Sequence, residues 1–115
     1  MYLSITYFRV KSLIHYPAFM KHVSRINAQV HKADGVLEVK QRIDPLFHAY
    51  TMTLWESREH MLAFMHAGAH KAAMPDTRKL ATRFTGFGFD TQSTIDWKEA
   101  KRLVRERLAA KKPGA

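Results

Sequence analysis

The sequence predicts an α+β fold, a ferredoxin-like βαββαβ order with a C-terminal helix, in which a four-stranded antiparallel sheet carries its helices on one face. Three observations predict it. Apolar residues alternate with period two in four segments, stripes of helical period lie between and after them, and turn or capping residues stand at the junctions. At 115 residues the chain is long enough for one two-layer core. It reads as a single domain over residues 1–112 with a frayed tail at 113–115.

The first 10 residues set Leu3, Ile5 and Tyr7 against Tyr2, Ser4, Thr6 and Phe8, the pattern of a strand. Pro17 suits the first turn of a helix, where its missing N–H is not needed, and Phe19, Val23, Ile26 and Val30 form one stripe. Asp34-Gly35 stops that helix. Val36 to Ile43 is a second strand, with Val36, Glu38, Lys40 and Arg42 on one face and Leu37, Val39, Gln41 and Ile43 on the other. Asp44-Pro45-Leu46 turns the chain into a third strand, Phe47 to Trp55, and the two pair as a hairpin.

Ser57 is a natural N-cap for a helix whose Met61, Phe64, Met65 and Gly68 share a face, with Gly68 and Pro75 dividing the region into two short helices. Ala81 to Phe89 is the fourth strand, in which Gly86 and Gly88 mark a close backbone approach or a bulge. Asp96-Trp97-Lys98-Glu99 has the spacing of a capping box and opens a helix along Trp97, Ala100, Val104 and Leu108.

Both sheet faces are apolar in strands one and three, so the face without helices needs a cover. A second copy of the same sheet is the simplest one, and a homodimer is expected.

Composition excludes several chemistries. There is no cysteine, which removes disulfides, thiolate metal sites and a cysteine nucleophile, and which fits a reducing cytosol. The N-terminal stretch lacks the basic start and long apolar run of a signal peptide, and no window is apolar enough to span a membrane. The net charge of +9 is concentrated at one end: residues 97–112 hold seven Lys and Arg against Glu99 and Glu106. One basic element without interleaved aromatics reads as a solvated helix face and not as a nucleic-acid surface.

A βαββαβ chain whose third strand ends in Thr53-Leu54-Trp55-Glu56-Ser57 and runs into a capped helix with Gly68-Ala69-His70 downstream resembles the dimeric α+β barrel superfamily. Within it, residues 1–90 are most similar to the antibiotic-biosynthesis-monooxygenase-like and spheroidene-monooxygenase-like branch. The resemblance implies two sheets packed into a barrel at a dimer interface. It also implies a monooxygenase-like activity on a small apolar or aromatic compound held between sheet and helices. Oxygenases of the group use no cofactor or bind haem there.

In the haem-degrading members an asparagine, a tryptophan and a histidine act at positions that correspond to Tyr7, Phe64 and Met74, so none of the three is matched. The competing classes are a non-catalytic ligand-binding or interaction homodimer, a haem-binding module and a nucleic-acid-associated one.

Among seven histidines, His66 and His70 stand i, i+4, but a catalytic metal wants a third ligand that the spacing does not supply. His70, four residues before Met74, is the candidate acid–base residue, its ordinary alternative being a satisfied half-buried histidine. Tyr7, Phe64 and Met74 are candidate ligand contacts. His22, beside Phe19 and Ile26 on the first helix, is another, with a solvated boundary residue as its alternative. Arg83 is read as binding an anionic substrate, pairing across a dimer, or standing exposed at an edge.

Overall fold

The structure, a computed structural model, describes residues 1–11, 14–46, 48–66 and 80–110. In chain order these form β1 (Tyr2–Val10), α1 (Tyr16–Val30), β2 (Val36–Asp44), β3 (His48–Trp55), α2 (Arg58–Met65), β4 (Ala81–Asp90) and α3 (Trp97–Ala110). The division at Gly68 and Pro75, the start of the third strand at Phe47 and the tail lie outside the described residues.

The sheet order is β2-β3-β1-β4, with every neighbouring pair antiparallel, which is the ferredoxin-like arrangement. Its junctions follow from local chemistry. Pro17 occupies the first turn of α1. Gly35 adopts φ 83°, a left-handed conformation that a side chain resists, and its α-carbon backs onto the His60 ring. The Ser57 hydroxyl caps α2 by accepting the His60 backbone N–H at 3.3 Å, and the same hydroxyl lies 2.6 Å from His60 Nδ1. Asp96 caps α3 by accepting the Glu99 backbone N–H at 2.8 Å.

One face of the sheet carries α1 and α2. There Val30, Trp55 and Met61 make a core with Tyr2, Val36 and Val39 around it, and Phe19 meets Phe8 with ring centroids 5.7 Å apart. Trp55 is fully buried and donates from Nε1 to Thr53 Oγ1 at 2.8 Å, so it is packing and not a ligand platform. The expected facing of β2 needs a correction. The register slips between Val36 and Glu38, and this bulge leaves Leu37 48% exposed while Val36 joins Val39 beside Trp55.

The opposite face holds the larger core: Leu3, Ile5 and Tyr7 of β1, Met52 and Leu54 of β3, and Ala100 and Val104 of α3. Trp97, Leu108 and Ile95 pack around them. The second face is therefore covered by the chain's own α3, where the sequence pointed to a second copy. The stripe of α3 has the apolar residues to seat there, and the short segment Thr91–Asp96 delivers it from the end of β4. Among the described residues, no helix is long and apolar enough to cross a membrane.

Gly86 and Gly88 differ in role. A side chain at Gly88 would collide with the Tyr2 ring, which is a close approach, whereas nothing among the described residues lies within 4 Å of where one would point at Gly86.

Candidate functional site

The α3-side face is a grid whose rows can be read across the strands. Toward one end the rows are apolar on β3, β1 and β4, with Leu54, Leu3, Phe89 and then Met52, Ile5, Phe87, while β2 adds Glu38 and Lys40 at the edge. The next row is Arg42, Tyr50, Tyr7, Thr85, and the last is Asp44, His48, Arg9, Arg83. The polar end of the face thus gathers two tyrosines, a histidine and three arginines at the margin of a dry core.

Tyr7 is only 3% exposed, and its Oη lies 2.6 Å from His48 Nδ1. The two rings stack with centroids 5.8 Å apart and planes 19° apart, and the Tyr50 ring lies 5.0 Å from Tyr7, tilted by 41°. Burial pushes the Tyr7 hydroxyl up from its ordinary value, against the pull of Arg83 and Arg9. Burial also lowers the His48 imidazole, and Arg9 lowers it further, while Asp44 opposes them.

The imidazole is therefore held neutral. In its Nε2–H tautomer Nδ1 accepts the Tyr7 O–H; in its Nδ1–H tautomer the ring donates to Tyr7 Oη, and Nε2 keeps a lone pair for a proton from elsewhere.

The surrounding charges are held unequally. Asp44 is bound by Lys101 and, at 2.6 Å, by Arg42, and these hydrogen bonds hold its carboxyl below the usual range. Lys101 also lies 5.6 Å from the centre of the Tyr50 ring, a cation–π contact. Tyr50 is itself raised by burial and by its neighbour Tyr7. Arg9 and Arg83 stand directly opposite each other on β1 and β4 and make no ion pair among the described residues. Beside them an open cleft of about 400 Å³ is lined by Arg9, Val10, Lys11, Leu46, Thr82 and Arg83. Leu46 takes a positive φ of 67°, an unusual conformation for a leucine, in the β2–β3 turn.

Of the residues singled out in the sequence, Tyr7 and Arg83 are brought together here. His22 is half-buried on α1 and Phe64 sits on α2, its ring 5.3 Å from Trp55, so both belong to the other side of the sheet. His70 and Met74 lie outside the described residues.

Tyr7 and Phe64, on opposite faces, do not converge on one macrocycle, and in this respect the described residues do not fit the haem-degrading arrangement. Nor do they contain a group of three or more His, Cys, Asp or Glu able to hold a metal ion. His60 is occupied by the Ser57 cap and the edge of Gly35.

Four residues of the cluster, His48, Tyr50, Arg9 and Arg42, are not among the sequence candidates. Their signal is the β1–β3 register: Tyr7 opposite Tyr50 makes His48 the diagonal neighbour two residues away, within reach of an aromatic side chain.

No protein-family profile matches the sequence, and none of the curated proteins does. Solved structures do match. A candidate antibiotic biosynthesis monooxygenase from Deinococcus radiodurans superposes with a TM-score of 0.72 at 16% identity, over 84% of this chain and 97% of its own. One from Nitrosomonas europaea gives 0.70 at 14%, over 81% and 100%. SnoaB from Streptomyces nogalater, a cofactor-independent oxygenase, gives 0.66 at 14%, over 82% and 95%. At such identities the likeness is one of fold. The chain has the α+β fold of the antibiotic-biosynthesis-monooxygenase-like proteins, as its sequence resemblance implied.

Proposed function

We propose, from the premise that this fold serves a cofactor-independent oxygenase in SnoaB, that the chain is a monooxygenase-like protein. It holds a small aromatic compound at the Tyr7–His48 end of the sheet. The observation that carries the reading is the 2.6 Å contact between a buried tyrosine and an imidazole kept neutral by burial and by Arg9. A neutral imidazole at the edge of an apolar core is a general base ready at neutral pH.

The chemistry needs no added cofactor if the substrate supplies the electrons. With Nδ1–H donated to Tyr7, His48 Nε2 takes a proton from an activated methylene, and the conjugated carbanion transfers one electron to O₂. Recombination of the radical pair forms the C–O bond of a hydroperoxide, with the proton returned from His48. Loss of water then leaves a carbonyl, so that CH₂ and O₂ become C=O and H₂O. The buried Tyr7 fixes the ring plane and accepts Nδ1–H in the tautomer that leaves Nε2 free, a positioning role.

The proposal includes a homodimer, in a changed form. With α3 seated over Leu3, Ile5 and Leu54, a partner copy can reach that face only if α3 moves from it, for instance by exchange between the two chains.

The test is oxygen uptake by the full chain in chelator-treated buffer with a panel of polycyclic phenols carrying an activated methylene. Uptake is expected with the wild type and lost in His48→Gln at unchanged circular dichroism. Equal uptake by the two proteins, or none with any compound, would overturn the reading.

A further inference from the structure

Arg9 and Arg83 pose an electrostatic problem that the fold does not solve by itself. Residues directly opposite on antiparallel strands have Cβ atoms about 4.5–5.5 Å apart, and like charges so placed repel. The two arginines occupy such positions, neither has a carboxylate partner among the described residues, and Arg9 is half-buried. Lys11 adds a third cation to the same cleft. The carboxylate on this row, Asp44, is already bound by Lys101 and Arg42. Neutral His48 adds no counter-charge, and Tyr7, held protonated by burial, adds none either. What remains is an open cleft lined by three cations, Arg9, Lys11 and Arg83, together with Thr82 and the apolar Val10 and Leu46.

We propose that this cleft is a carboxylate site: Arg9 and Arg83 grip the acid group of a small organic carboxylate whose apolar body rests on the exposed Leu46. The planar fork of arginine matches a carboxylate with two parallel hydrogen bonds, and two such forks side by side gain from an anion what they lose to each other without one. Leu46 presents its side chain through a strained backbone conformation, which fits a residue selected for what it touches. The inference deepens the oxygenase reading, on which it rests for the identity of the bound compound: the substrate is an acid.

The experiment is a calorimetric titration of the full chain at low ionic strength with sodium benzoate, benzamide and inorganic phosphate. It is repeated in Arg83→Gln and in Lys98→Gln, a charge-matched change at an exposed site on α3 that does not line the cleft. Benzoate is expected to bind at least tenfold tighter than benzamide or phosphate, and Arg83→Gln to weaken it at least tenfold while Lys98→Gln leaves it within twofold. Benzamide binding as well as benzoate would overturn the proposal, as would phosphate binding at least as tightly, or an equal effect of the two substitutions.

The titration needs neither O₂ nor turnover. Benzoate binding without oxygen uptake on any phenol would sink the oxygenase reading and leave the carboxylate site standing. Oxygen uptake unchanged by Arg83→Gln, with no benzoate binding, would do the reverse.

Discussion

Tyr7 Oη and His48 Nδ1 meet at 2.6 Å across the β1–β3 pairing, with their rings stacked, at the point where the apolar rows of the sheet give way to charge. Replacing Tyr7 by Phe keeps the stacked ring and removes one hydrogen bond to a partly buried partner, an expected loss of about 1 kcal/mol in urea unfolding. A loss near zero would mean that the contact does not form in solution.

The His48 imidazole sets a pH dependence whose sign is fixed. Its folded pKa lies below the ordinary 6.5, so between the two values the unfolded chain binds more protons, and stability from this group is full above 6.5 and declines as pH falls below it. Unfolding curves between pH 5 and 8 should show this decline in the wild type and a flatter profile in His48→Gln.

Asp44 acts further into acid. Its carboxyl is depressed by Lys101 first and Arg42 next, so its contribution is present above the ordinary carboxylate value of 3.8 and disappears as pH falls through the folded one. Being a surface cluster, it is worth less than about 1 kcal/mol. Asp44→Asn should cost that little at pH 7 and low salt, and nothing in high salt.

Two glycines make a matched pair. Gly35→Ala places a side chain at positive φ against the His60 ring and should destabilise by more than about 1 kcal/mol. Gly86→Ala meets open space in a strand and should be neutral or stabilising by up to about 1 kcal/mol. Thermal melts of the two variants, compared with the wild type, separate these outcomes.

Val104 is 2% exposed where α3 meets the sheet. Val104→Ala should cost about 2 kcal/mol through lost burial and a residual cavity. Val104→Asp should unseat the helix, seen as increased binding of a hydrophobic dye and as self-association in sedimentation.

Most elements and their ends were legible because each is written locally: Pro17, Ser57 and Asp96 start helices and alternation marks the strands, although α1 already ends at Val30, capped at His31, and Gly35 turns the chain into β2. Relations between elements were not. The stripe on α3 could be read from Trp97, Ala100, Val104 and Leu108, but nothing in that stripe says which surface receives it, and a second sheet satisfied the same demand for apolar cover. Tyr7 shares its parity with Leu3 and Ile5, which the alternation shows, yet the side on which α1 and α2 pack is a property of the whole chain. That choice separates Tyr7 from Phe64 and His22. His48 was hidden for a similar reason, since a diagonal neighbour exists only once the β1–β3 register is set. The bulge at Leu37 reversed one residue of an otherwise regular alternation.

The position of α3 in the chain bears on how the protein folds. All four strands precede Trp97–Ala110 in the chain, so a sheet that assembles before this last helix docks shows Leu3, Ile5, Met52 and Leu54 to other chains until its cover arrives. Slowing the docking of the last helix should therefore raise the fraction lost to aggregation during refolding, and speeding it should lower it.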